Sequence, residues 1–456
     1  MNTRSIQEGR ALRKKVPRSS HAQWRPPADR PDPLAVLLAS GKSRLPHLLA
    51  LRYGRMSQSA FAYMRGAAAM MASDLAATPV SGIRVQACGD CHLGNFGAFA
   101  SPERRILFDI TDFDETLPGP WEFDLKRLAT SFTLVARAKG YNRATARDVT
   151  TAAVSAYRRH MREFAALSPL ELWYFIIDSE LLIRTAPDAA TRRRRRRFEK
   201  KARSRTVDSL LGKLLVEHDG AWRFKEQPPT IARLRRGSRL ERSFRAVLER
   251  YPRTLQQDRR VLFSRYRLAD LAFKVVGVGS VGTRCAVALY VSAGAEPLVL
   301  QVKEACPSVL ARYAGKSAIA HEGERVVVGQ RLMQCASDIF LGWASDDEGH
   351  DYYVRQLRDM KTSVRLEELE GQVLHNFAGM CGWALARAHA KTGDAARLSG
   401  YLGRGPRIDD AIAAFARAYA DQCERDHALF LRAIRAGKIP VERERAAGRW
   451  LIRRAR

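Results

Sequence analysis

The sequence has no run of apolar residues approaching the roughly 18 needed to cross a bilayer. Its first 30 residues are basic but contain no apolar segment of the kind that marks a secretory leader. A cytoplasmic chain is the expectation. Acidic residues are in deficit: 48 Asp and Glu against 78 Lys and Arg leave a formal charge of +30, which favours polyanionic partners such as nucleotide phosphates or nucleic acid. Most of that excess is arginine spread along the chain, so it speaks of partners and not of fold. The cysteines, at 88, 91, 285, 306, 335, 381 and 423, are odd in number and mostly isolated. That argues against a disulfide framework and for reduced, packed thiols. No second Cys or His pair stands at ligand spacing to complete a zinc site with Cys88 and Cys91. There is no internal repeat.

What is present can fill two or three lobes, since 456 residues exceed one ordinary core and 46% are hydrophobic. Residues 1–33 are rich in Pro and Arg without periodicity and read as a disordered basic arm. Residues 34–260 read as a helical lobe, opening with SAFAYMRGAAAMMASDLAA and interrupted by two short strands, IRVQACGD and RRILFDITDFDE. Within it, TRRRRRRFEKKARSR carries six consecutive arginines, 192–197. Nucleic-acid binding there is an alternative to a solvated helix face, but it is not favoured, because no aromatic residues interleave to stack bases. Alternating CAVALYV and PLVLQVKEA, separated by SAGAEP, predict a hairpin in a β-rich lobe over 261–362. Helices follow over 363–440, then a basic tail, 441–456.

The stretch CGDCHLGNFG, 88–97, fits two chemistries. Cys88-Gly-Asp-Cys91-His92 spells the C-x-x-C-H of covalent haem attachment, which belongs to exported chains. As a bare C-x-x-C it could be a redox dithiol, but such a pair should open a helix, and Gly94, Asn95 and Phe96 follow instead. The phosphotransfer reading uses more of the residues. Moving a γ-phosphoryl group needs a carboxylate to orient or accept the proton of the incoming hydroxyl, plus oxygen ligands that hold Mg²⁺ against the phosphates. In G-D-x-H-x-G-N, Asp90 is the candidate base, His92 a second catalytic candidate, and Asn95 a candidate metal ligand. ILFDITDFDE supplies a second acid from Asp109, Asp112 or Asp114, and Asp112 in Asp112-Phe113-Asp114 is preferred.

GDCHLGNF, DFDE and GPWEFDLKRL together resemble the catalytic segment of aminoglycoside phosphotransferase and choline kinase-like enzymes, which share the protein-kinase-like fold. From about residue 40 to 440 the chain also resembles a bacterial family of unknown function, number 2252, through FxYxRGAA, CGDxHLGNFG, FDxxDFDETLPGPWEFDLKRL, VVGVGSVGTR, QVKEA and YAxQxxRDH. That second resemblance carries no established activity. Cys88 stands where a His often precedes the Gly-Asp of the phosphotransferases.

A kinase-like chain needs a nucleotide lobe, and none fits upstream of Asp90. Downstream, Gly277-Val-Gly279-Ser-Val-Gly282 is followed by the strand CAVALYV, as a phosphate-covering hairpin requires, whereas a dinucleotide fingerprint would open a helix. Lys303 in LVLQVKEA then takes the place of the phosphate-gripping lysine, and Glu324, preferred over Glu322, that of its carboxylate partner. The expected fold is therefore α+β, protein-kinase-like and two-lobed, with its order circularly permuted. The expected function is an ATP- and Mg²⁺-dependent phosphotransferase acting on an unknown hydroxyl-bearing acceptor. An inactive kinase-like module binding nucleotide or RNA is the alternative. Arg65, His389, Asp394, Asp421, Glu424, Asp426 and His427 are weaker candidates, with helix ends, solvation or buried ion pairs as their simpler explanation.

Overall fold

The computed structural model describes residues 3–203, 212, 214–218, 220–357, 362–363 and 366–442. The architecture is α+β. Four short strands come first: β1 (Arg84–Ala87), β2 (Phe96–Ala100), β3 (Ile106–Ile110) and β4 (Leu117–Pro120). β1 pairs antiparallel with β4, and β2 with β3 and with the later β13 (Thr362–Ser363). A small hairpin, β5 (Leu215–His218) and β6 (Ala221–Phe224), precedes the main sheet.

That sheet has six strands in the order β11-β12-β10-β9-β8-β7, every neighbour antiparallel. They are β7 (Ile231–Arg233), β8 (Tyr266–Lys274), β9 (Cys285–Ser292), β10 (Pro297–Glu304), β11 (Gly342–Ser345) and β12 (Asp351–Gln356). Alternation in β9 and β10 sends Ala286, Ala288, Leu300 and Val302 to one face and Val287, Leu289 and Val299 to the other, each face with its own apolar core. Register sets Lys303 opposite both Cys285 and Tyr353.

The larger core lies among the helices Trp121–Ala138, Arg143–Phe164, Gln372–Thr392 and Arg407–Arg435, where Leu125, Phe132, Val154, Tyr157, Leu385 and Phe415 are buried together. Each such side chain contributes roughly 1.5–3 kcal/mol through burial. Two of the helices approach closely enough that a Cβ on Gly382 would lie 2.0 Å from the Ala153 carbonyl oxygen. No helix among the described residues is long and apolar enough to cross a membrane.

Three expectations change. The first concerns the arm, which is ordered: Thr3–Lys15 is a helix laid on Ala395–Leu402, with Gly9 and Gly400 at the contact. His21 is buried with Nε2 2.6 Å from the Tyr401 hydroxyl, and Arg30 donates to both Asp74 and Asp426. Composition pointed to disorder because the anchors lie up to 396 residues away in sequence. The second is the boundary at 260/261, which falls inside a packed unit: β7 joins the main sheet, and Phe244, Val247 and Leu248 of the Arg239–Arg250 helix share its core. The third is SAFAYMRGAAAMMASDLAA, 59–77, whose composition suits one helix and which divides into Ala60–Gly66 and Ala68–Ala76. Of the basic tail, 443–456 lies outside the described residues.

Candidate functional site

β1 ends by delivering Cys88, Gly89 and Asp90 into a tight turn. Gly89 has φ +81°, and a Cβ there would lie 2.1 Å from the Glu115 carbonyl oxygen, so this turn requires glycine. The turn is clamped by Asp124, whose carboxylate accepts the N–H groups of Cys88 (2.7 Å) and Gly89 (3.0 Å). His389 Nε2 lies 3.1 Å from the same carboxylate, and the Tyr157 hydroxyl lies 2.9 Å from His389 Nδ1. One turn beyond Asp124 on the Trp121–Ala138 helix, Arg127 Nε donates to Asp90 Oδ1 at 2.6 Å. Residues three apart share a helix face, so this single helix holds both the turn and its acid.

Asp90 keeps 20% of its side-chain exposure. Burial lifts its carboxyl to about 6, against the pull of Arg127, with Asp112 adding to the rise. Its Oδ2 lies 3.7 Å from His92 Nε2, and a Cβ on Gly279 would stand 3.9 Å from it. His92 Nδ1 accepts the Gly94 N–H at 3.1 Å, and burial pushes this imidazole well below its ordinary pKa. His92 therefore shapes the loop as a neutral ring. Asn95 Nδ2 donates to the Asp90 carbonyl at 2.8 Å, which leaves Oδ1 as its ligand atom.

The three acids on the next segment have different surroundings. Asp109 is fully buried, ion-paired to Arg387 at 2.7 Å and accepting the Cys335 N–H, so it braces the core. Asp114 accepts from Lys303 Nζ, from the Tyr353 hydroxyl at 2.8 Å and from Ser280 Oγ at 3.1 Å. Burial raises the Asp114 carboxyl, but Lys303 and these hydrogen bonds pull it down further, to about 2. Burial lowers Lys303 and Asp114 raises it more. Asp112 has no ion-pair partner among the described residues; its Oδ1 accepts only the Asp114 N–H, at 3.4 Å.

The 277–282 loop thus meets the acids through Gly279 and Ser280. It is held from behind, where Arg44 Nη1 donates to the Val281 carbonyl at 2.6 Å and Leu45 N–H to that of Gly282 at 2.7 Å. Gly282 has φ +94°, and a Cβ there would lie 2.9 Å from the Arg44 Cβ. Beneath Gly277 lies Arg65, with Nη2 3.6 Å from where a Cβ of that glycine would be. Burial lowers the Arg65 pKa, while Asp90 and Asp112 raise it, and its buried Nε has no hydrogen-bond partner.

Glu324 does not partner Lys303, which pairs with Asp114 instead. The segment HEGERVVVGQRLMQCA predicts a helix over about 321–336, and Glu322–Met333 is one, but it turns Arg325 inward: that guanidinium donates to the carbonyls of Thr116, Asp114 and Cys306. Sequence order foretells the helix but not its inward face. Cys88, Cys91 and Asp124 bring ligand atoms within 4.8 Å of one another. Burial raises both thiols, and the Asp124 oxygens are taken by backbone N–H groups and His389. Asp124 holds the turn, and the two thiols are packed behind it. His389 is part of that brace, Asp394 caps the Ala395–Leu402 helix, and Asp426 pairs with Arg30. Asp421 and Glu424 pair with Arg137, and His427 Nε2 lies 3.2 Å from the Ser57 carbonyl. Asp124, Arg127, Tyr353, Ser280 and Arg325 were not singled out from sequence, although Asp124 and Arg127 stand at helical spacing inside GPWEFDLKRL.

Fold and site together define an α+β protein whose paired carboxylates lie under a glycine loop, with a lysine and an arginine beside them. Residues 44–433 match the family model described as uncharacterized proteins conserved in bacteria (DUF2252), and the chain belongs to that family. No curated protein and no solved structure matches it.

Proposed function

We propose that the chain is an ATP- and Mg²⁺-dependent phosphotransferase with a permuted kinase-like order, acting on a hydroxyl-bearing acceptor. The observation that carries this reading is convergence. The 277–282 loop and Lys303 meet Asp90 and Asp114 although some 190 residues separate the segments, and two neighbouring charges, Asp112 and Arg65, are uncommitted. Asp112 has no cation partner among the described residues, and Arg65 has an unused buried donor. A polyphosphate with a divalent cation fits that gap, because hard carboxylate and amide oxygens suit Mg²⁺ and a guanidinium suits phosphate oxygens.

Asp90 is the base. Arg127 fixes its Oδ1, so Oδ2, on the side of Gly279, receives the proton of the acceptor hydroxyl. Asn95 Oδ1 and Asp112 are the ligand atoms for the cation, with Asp114 in reserve behind Lys303. Lys303 and Arg65 hold phosphate oxygens, and Gly277 and Gly279 let backbone approach them. Bound Mg²⁺ would supply neutralisation of phosphate charge. The His389–Asp124 brace keeps the Asp90 turn in place.

Incubating the full chain with γ-labelled ATP, Mg²⁺ and a cellular metabolite pool tests the reading. A labelled product made by wild type and not by Asp90→Asn is expected. Saturable nucleotide binding with no transfer to any acceptor would leave the inactive nucleotide-binding module in its place.

A further inference from the structure

A cavity of about 590 Å³ opens between the Ala189–Arg203 helix, the β2–β3 hairpin and the start of the Gln372–Thr392 helix. Small-molecule sites span roughly 300–1,000 Å³. Asp90, Lys303 and the 277–282 loop contribute nothing to its walls, so it is a separate place from the phosphotransfer site.

Its interior is apolar, lined by Phe108, Leu182, Val373, Phe377 and Met380. Its edge carries five cationic side chains, all on the Ala189–Arg203 helix, against the carboxylates of Glu199 and Glu368. On the Ala189–Arg203 helix, Arg197 stands four residues after Arg193 and three after Arg194, so these three arginines form one stripe along the cavity. A different seam of that helix, Thr191 and Ala202, is buried against the protein, and Arg195 is tied to the Leu182 carbonyl. Arg193, Arg194 and Arg197 are exposed and, among the described residues, have no carboxylate within ion-pair distance. The nearby Glu199 is engaged by Arg203 and Ser179. Like charges at these spacings repel along a helix, so the stripe is best satisfied by an anion from outside.

A neutral apolar ligand would leave the arginines idle. Single-stranded nucleic acid would need open aromatic faces, whereas Phe108 and Phe377 pack edge-to-face at 5.9 Å. We infer that this cavity binds a single-chain amphiphile with an anionic head: the hydrocarbon chain lies among Phe108, Phe377 and Met380, and the carboxylate or phosphate lies on the Arg193–Arg197 stripe. This assigns the six-arginine run a ligand and a depth that a solvated face does not have.

The test is calorimetric titration of the full chain with dodecanoate and with dodecyl phosphate, below micelle formation, against dodecanol. Saturable binding of at least one anion is expected, at least tenfold tighter than dodecanol. Affinity should rise by about fourfold per methylene in the shorter homologues. The tighter head group identifies the source as a fatty acid or a phosphate monoester, and either supports the inference. Two variants on different elements, R193E/R197E at the edge and Met380→Trp in the chamber, should each weaken binding at least tenfold with thermal unfolding unchanged. Unsaturable binding, dodecanol binding as tightly as both anions, or affinity untouched in both variants would overturn it. So would an RNA oligonucleotide that binds through the same arginines and is not displaced by either anion.

Discussion

At the scale of single residues, the site depends on how one helix treats one acid. Arg127 neutralises Asp90 at Oδ1, yet burial still lifts that carboxyl to about 6. A lifted carboxyl is ionised above its pKa and protonated below it, so the proposed base is present at neutral pH and lost in mild acid. We predict an acid limb near pH 6 in kcat/KM, and a fall of roughly 10²–10⁴ in turnover for Asp90→Asn, read from initial rates across pH 5–8. The paired thiols behind this turn predict the opposite behaviour. C88A/C91A should keep nucleotide binding, because both thiols are buried and their raised pKa values hold them as inert SH groups. A redox chemistry would be lost in that variant.

Short motifs made several of these residues readable in advance. Asp90, Asn95, Asp112, the three glycines and Lys303 were each singled out by a local string of residue types and spacing, and the structure brings the strings together. Partners on other elements were not readable in that way. His389 reaches the Asp90 turn only through Asp124, and Lys303 takes Asp114 because register puts Tyr353 opposite Lys303, which gathers all three polar groups. Glu324 failed for the same reason, since which side of a helix faces inward is decided by what it packs on.

At the scale of elements, the glycine loop is held differently at its end and in its middle. Gly282 is pinned against Arg44 with positive φ, so Gly282→Ala strains the backbone and meets the Arg44 stem; a loss of ~1–3 kcal/mol is expected in denaturant unfolding. Gly279 has ordinary φ and nearest neighbours at 3.5 and 3.9 Å, so an alanine there fits. Gly279→Ala should unfold like wild type while weakening nucleotide binding, because its methyl occupies the space between loop and Asp90 Oδ2. Equal binding by that variant would place the phosphates elsewhere.

At the scale of the whole molecule, the β9–β10 hairpin was legible from alternation, whereas β5, β6 and β7, inside the span read as a helical lobe, and the closure of the chain were not. The arm returns to the far end of the sequence through His21, Trp24 and Arg30, whose partners lie on the last helices. Arg30 is nine-tenths buried between Asp74 and Asp426. Removing it leaves two buried carboxylates without their cation, and breaking such a pair costs about 3–5 kcal/mol. Arg30→Ala should therefore lower the thermal midpoint clearly, whereas Arg4→Ala, in an exposed pair, should leave it within error.

The central claim is that the loop at 277–282, Lys303 and the acids around Asp90 form one nucleotide site. Isothermal titration of Mg-ATP into the full chain tests it most directly. Saturable, Mg²⁺-dependent binding by wild type, lost in a folded Lys303→Ala variant, is the predicted result; no binding by wild type, or undiminished binding after that substitution, would contradict it.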